Sequence, residues 1–122
     1  MTQREQEAYV RSKWVDVYDC GGYVIICGTY GRQLVNVSRQ TTVEAWQAVY
    51  EFTEQRLGEI REVEEEIAAL LPFAAGRTEE ALTLMPVWAI PALLSEGKAI
   101  LRTIARLRRA LTELKREMKE TV

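Results

Sequence analysis

The side chains here that could do chemistry are two thiols, two runs of like charge and a few aromatics. Cys20 and Cys27 are the only cysteines, and they lack the two- or three-residue spacing of a metal knuckle or redox motif. The chain contains no histidine. A cysteine nucleophile would have no imidazole to activate it, and the commonest metal ligand is missing. The expectation is two buried, reduced thiols. The run Glu62, Glu64, Glu65 and Glu66 offers carboxylates, but hard-cation sites draw on loop oxygens as well. A solvated helix face with no bound metal is expected there. Arg106, Arg108 and Arg109 offer cations for a phosphate, although acidic residues of the same fold compete for them. Phosphoryl or acyl chemistry needs a phosphate loop or a nucleophile–base pair. Neither is legible, so no catalytic residue and no cofactor is expected.

Two features exceed what folding alone asks for. The first is aromatic: Trp14, Tyr18 and Tyr23 fall on one side of a predicted sheet, flanked by Arg32 and Arg39. Such a surface can stack bases or hold a phosphorylated ligand, unless an N-terminal arm or a second subunit covers it. The second is the apolar stretch Leu84-Met85-Pro86-Val87-Trp88-Ala89-Ile90-Pro91. It lies where a connector is normally polar, and Trp and Met are enriched in interface cores. Leu84, Met85, Val87, Trp88 and Ile90 are therefore the candidate interface, with folding back onto the core as the alternative.

The elements that position these residues follow from the hydrophobic pattern. Residues 1–12 read as a polar arm; Thr2 and Glu5 have capping-box spacing, which allows a short, frayed helix. Residues 13–39 read as a three-stranded antiparallel meander. Gly21-Gly22 makes the first turn and Thr29-Tyr30-Gly31-Arg32 the second. These turns set Tyr18 opposite Ile25 and Ile25 opposite Asn36, with Val17 opposite Ile26 and Ile26 opposite Val35. One face then carries Val15, Val17, Val24, Ile26, Val35 and Val37 and is the core face. The other carries Trp14, Asp16, Tyr18, Tyr23, Ile25, Leu34, Asn36 and Ser38.

A long helix is expected over 42–71, capped by Thr41 or Thr42 and ended by Pro72. Its apolar positions are Trp46, Tyr50, Leu57, Ile60, Ile67 and Leu71, with Thr53 and Glu64 filling the heptad gaps. Val49, Val63 and Leu70 widen the stripe. Residues 72–97 form an apolar connector with a short helix over 79–85, capped by Thr78 and interrupted by Pro86 and Pro91. A second long helix follows over roughly 92–119, its basic part covering 98–119. Its seam is Leu93, Gly97, Ile100, Ile104, Leu107, Leu111, Leu114 and Met118, with Leu94 and Leu101 beside it. The first helix holds eight Glu and two Arg over 42–71, and residues 98–119 hold eight Lys or Arg and two Glu. An acidic helix lying antiparallel against a basic one neutralises both, and such pairs choose partner and orientation more than they add strength.

The fold class expected is α+β: a three-stranded antiparallel β-meander followed by a long antiparallel, coiled-coil-like helical hairpin, with 13–122 as a single domain. The 122-residue length suits one domain, and the net charge of −2 gives no global bias toward nucleic acid. Met1 to Ser12 has no apolar stretch of the kind a secretory signal needs, and the run Leu82 to Leu94 is too short and broken for a membrane span. A cytoplasmic protein is expected, with no membrane partner. The order of three strands and a helix, with Thr42-Val43-Glu44-Ala45 opening the helix, loosely resembles two small families. They are the arm-binding domain of tyrosine recombinases and the partial ribonuclease-H-like antitoxins. The likeness covers about a third of the chain and lacks the basic sheet face that the first family uses on DNA, so no functional residue carries over. The function expected is that of a non-enzymatic interaction protein, a homo-oligomer, binding itself or another protein. The alternatives are a binder of nucleic acid or a phosphorylated small ligand, and a small inhibitor of a host protein encoded by a phage or mobile element.

Overall fold

The computed structural model describes residues 1–21, 23–27, 33–38, 41–116 and 118–119. The element order is α1 (Gln3–Lys13), β1 (Asp16–Asp19), β2 (Tyr23–Cys27), β3 (Gln33–Ser38), α2 (Thr42–Ala75) and α3 (Ile90–Lys115). The three strands form one antiparallel sheet in sequence order, and α2 and α3 pack together as a helical hairpin, so the α+β reading holds. The chain divides into two compact units, one of residues 1–59 and 113–122, the other of residues 60–112.

In the first unit, the sheet register is the one the sequence pattern sets: Tyr18 faces Ile25, Ile25 faces Asn36, Val17 faces Ile26 and Ile26 faces Val35. Gly21 takes φ +66°, the conformation a two-residue hairpin turn asks of its first central residue. The Cys20 amide closes this turn on the Tyr23 carbonyl at 2.9 Å. The predicted second turn lies outside the described residues, as do Arg32 and Arg39. Val17, Val24, Ile26 and Val37 are buried, Val35 is half-buried, and all pack toward Val10, Ala45, Trp46 and Val49 of the helices.

Among the described residues alternation fails at two places: the register shifts between Ile26 and Cys27, where Leu34, expected on the open face, packs against the core beside Val35, and it shifts again ahead of β1. Val15 sits in a bend ahead of β1 and is 55% exposed, while Trp14, expected on the open face, is fully buried. The bend shifts the parity of the pleat by one residue, which turns Trp14 inward. Its ring stacks on Phe52 at 5.7 Å, its Nε1 donates to Thr53 Oγ1 at 2.8 Å, and that hydroxyl donates to the Val49 carbonyl at 2.9 Å. The buried indole N–H and the buried threonine therefore satisfy each other. Arg56 caps the pair, its guanidinium 5.6 Å from the Trp14 ring and donating to the Leu114 carbonyl at 3.3 Å.

The supposed arm is an ordered helix. Thr2 caps it by accepting the Glu5 amide at 3.2 Å, and Val10 and Gln6 are buried against the unit. Tyr9 reaches Glu54 and Gln6 reaches Gln47, both on α2. Tertiary packing, rather than propensity, holds this short helix.

The second unit contains the rest of α2, a run of turns over 76–89, and most of α3. Ile67, Ala74 and Ile104 are its buried centre, flanked by half-buried Val63, Leu70, Ile100, Leu107 and Leu111. The α2 stripe runs Ile60, Val63, Ile67, Leu70, Ala74, which steps past Glu64 and leaves Leu71 43% exposed. A straight 3.6-residue helix drifts against a strict seven-residue repeat, and this is the drift.

Four expectations about element bounds are corrected. Pro72 does not end α2, which continues to Ala75. The helix needs only one more turn, and that turn buries Ala74. No α-helix forms over 79–85. Thr78 does accept the Ala81 amide at 3.2 Å, but successive turns follow, because Pro86 biases Met85 away from helical angles and the segment is shorter than a stable helix. Pro91 opens α3 rather than interrupting it, since a first-turn proline loses no helical hydrogen bond. That helix stops at Lys115, short of 119. Beyond it Met118 makes an antiparallel bridge with Trp14, and the Lys119 amide donates to the Lys13 carbonyl at 2.9 Å.

Gly97 is buried for a reason specific to its type. A β-carbon there would lie 3.0 Å from both Cβ and the carbonyl oxygen of Arg77. The glycine lets the turn backbone press directly on α3. Arg77 then reaches back along the helix, pairing with Glu96 at 2.9 Å and donating to the Phe73 carbonyl at 3.2 Å.

Candidate functional site

The closed end of the hairpin carries an unusual surface. Leu84 is 96% exposed, Val87 82% and Trp88 84%, and Met85 and, in the last turn of α2, Phe73 are exposed as well. The backbone beneath them is ordered by turn hydrogen bonds: Leu82 to Thr78 at 3.0 Å, Met85 to Leu82 at 3.0 Å and Ala89 to Pro86 at 2.9 Å. Leu82 anchors the segment, since it is buried while its neighbours point outward. Of the five residues singled out from sequence, Leu84, Met85, Val87 and Trp88 lie on the surface and Ile90 is half-buried at the start of α3. Phe73 was not singled out, because Pro72 was read as the end of the helix that in fact carries it.

The aromatic sheet face is smaller than its sequence suggests. Tyr18 and Tyr23 are exposed, but Trp14 is withdrawn into the core. The Cys20 thiol pushes the Tyr23 phenol above its ordinary value, chiefly by hydrogen bonding and then by charge. Cys20 itself is exposed and Cys27 half-buried, so the expectation of two buried thiols is corrected, although both thiols are free. Beside Tyr18 lies a shallow depression lined by Arg11, Asp16 and Lys119 among others. Its two cations are already engaged: Arg11 donates to the Val17 carbonyl at 2.9 Å and Lys119 Nζ to the Arg11 carbonyl at 2.8 Å.

The arginines of α3 are all exposed, but they do not form one cluster. At about 100° per residue, Arg106 and Arg109 share an outward row with Arg102, while Arg108 falls on a different side. Glu62, Glu64, Glu65 and Glu66 are exposed along α2, and among the described residues no group of three or more His, Cys, Asp or Glu could hold a metal ion. Among the same residues, no helix is long and apolar enough to cross a membrane.

No family model matches the chain, and no curated protein or solved structure matches it either.

Proposed function

We propose that this is a non-enzymatic binding protein that acts through its helical hairpin and the apolar turns at the closed end, and that it associates with itself. The observation that carries the reading is the exposure of Leu84, Val87 and Trp88 on an ordered backbone. Contiguous exposed apolar surface of this kind marks interaction sites in soluble proteins. Pro86 and Pro91 stiffen the segment, so it loses little conformational entropy when it docks. Two free thiols, one of them exposed, fit a reducing compartment and support a cytoplasmic setting.

The test uses the chain's three tryptophans. Trp14 and Trp46 are fully buried, so Trp88 is the one that a soluble quencher reaches. Acrylamide quenching of that emission component is expected to fall as protein concentration rises, in step with growing mass by light scattering. A component that stays equally quenchable at every concentration, with a constant mass of one chain, refutes self-association through this end.

A phosphate-bearing ligand is the second reading, supported by the exposed row Arg102, Arg106 and Arg109. Salt separates the two. Phosphate binding weakens steeply as salt rises, and an apolar contact does not.

A further inference from the structure

We infer that a second copy of the chain packs on one side of the helical hairpin, with α2 of each copy against α3 of the other and both hairpin tips at the same end. This deepens the self-association reading above and rests on it.

The argument begins with helix geometry. The hairpin seam is Ile67 and its neighbours on α2, and Ile104 and its neighbours on α3. Four residues complete a turn and overshoot it by about 40°. Leu71, four beyond Ile67, and Arg108, four beyond Ile104, are therefore displaced from the seam in the same rotational sense. Because the helices run antiparallel, equal displacements emerge on the same side of the hairpin. That side carries Ala68, Leu71 and Ala75 from α2 with Glu64 among them, and Leu94, Leu101 and Ala105 from α3 with Arg108 among them. Leu71 is 43% and Leu101 55% exposed, and all three alanines are exposed. The opposite side carries Glu62 and Glu66 from α2 and Glu96 and Thr103 from α3. The first side thus exposes leucine and small residues with an acidic group from α2 and a basic group from α3, whereas the second exposes acidic groups from both helices among alanines and Phe73.

Charge chooses the occupant and its direction. The α2 helix holds eight Glu and two Arg, whereas Lys98, Arg102, Arg106, Arg108 and Arg109 follow one another on α3 with no acidic residue between them. Two hairpins laid face to face can be related by a two-fold axis across the helices or along them. An axis across them stacks acidic α2 on acidic α2 and basic α3 on basic α3. An axis along them stacks α2 on α3 twice, so each acidic helix gains a second basic neighbour. This arrangement is a four-helix bundle in which every neighbour is antiparallel. It also brings the two exposed tips together, which joins the side and the closed end into one surface.

The area is adequate. The paired helices run for about 25 Å at a width of about 20 Å, which gives roughly 500 Å² per copy and about 1,000 Å² in total, the threshold for a specific interface before the tips are added.

The test is directional cross-linking of the full chain with Cys20 and Cys27 replaced by Ser. Ala68 and Ala105 each follow a buried seam residue, Ile67 and Ile104, so Ala68→Cys and Ala105→Cys are made as separate variants, one carrying a mass tag. Both sites are exposed, and circular dichroism checks that each variant folds. Mixed and oxidised, they are expected to give chiefly the 68–105 heterodimer, with little 68–68 or 105–105 product. In the untagged parent, Leu101→Glu is expected to raise the dimer dissociation constant by about 30-fold or more. A monomer at every concentration overturns self-association and this geometry together. A dimer that links 68 to 68, or that Trp88→Ala dissolves while Leu101→Glu does not, overturns this geometry and leaves self-association standing.

Discussion

Trp88→Ala separates surface from core when it is paired with Ile104→Ala. Trp88 is 84% exposed, so its truncation removes almost no packing from the isolated chain. The monomer should lose no more than about 0.5 kcal/mol, the usual range for surface changes. Association should suffer far more. A tryptophan side chain presents up to about 250 Å². Covering about 200 Å² of it at roughly 25 cal/mol per Å² gives an upper bound near 5 kcal/mol. Imperfect burial and the ordering of the side chain reduce this to about 2 kcal/mol or more, the scale of an interface hot spot. Ile104 is 2% exposed at the seam centre, and Ile104→Ala should cost the fold about 2–5 kcal/mol as a cavity-forming change. The assays are urea unfolding at low protein concentration and sedimentation at high concentration. If Trp88→Ala unfolds the monomer as badly as Ile104→Ala and leaves association intact, the closed end is part of the core and the reasoning fails.

Three further predictions concern the interior. Thr53→Val leaves the Trp14 indole N–H without its acceptor in a dry site; denaturant unfolding should show a loss of about 1–3 kcal/mol. Gly97→Ala places a methyl 3.0 Å from the Arg77 carbonyl oxygen. Overpacking of about 1–3 kcal/mol should outweigh the helix-propensity gain of about 1 kcal/mol, so the melting temperature should fall rather than rise. Alkylation should label exposed Cys20 before half-buried Cys27, and mass spectrometry of a brief iodoacetamide reaction reads the order directly.

The sheet was legible because its side-chain period is two and the first turn is marked by glycine. A register slip of one residue would have turned every valine outward. The α2 stripe was legible down to Thr53, whose place in the apolar pattern becomes clear once Trp14 is seen bonded to it. What escaped depends on contacts distant in sequence. Residues 1–12 are polar enough to read as an arm, and only Val10, Gln6 and Tyr9 meeting the rest of the unit make a helix of Gln3–Lys13. Met118 continues the seam spacing of the second long helix, yet the chain leaves the helix at Lys115 to bridge Trp14. No local pattern contains that choice. The prolines misled for a related reason: their cost depends on which turn of a helix they occupy, and Pro72 in a last turn and Pro91 in a first are both tolerated.

The candidate surface was legible in composition but not in extent. Leu84, Val87 and Trp88 could be named from sequence because connectors are seldom so apolar. Their exposure could not, since the same residues could equally have folded inward as Leu82 does. The turns decide it: the Thr78 cap and the Pro86 break wind the backbone so that Leu82 is the residue that returns to the helices. An isolated hairpin of two helices can also cover only one seam, and Leu71, Leu94 and Leu101 lie one step to its side. The proposed surface therefore extends beyond the connector, along the side of the hairpin where Leu71 and Leu101 stand exposed, and the segregated charge of α2 and α3 is what argues for the proposed direction of pairing.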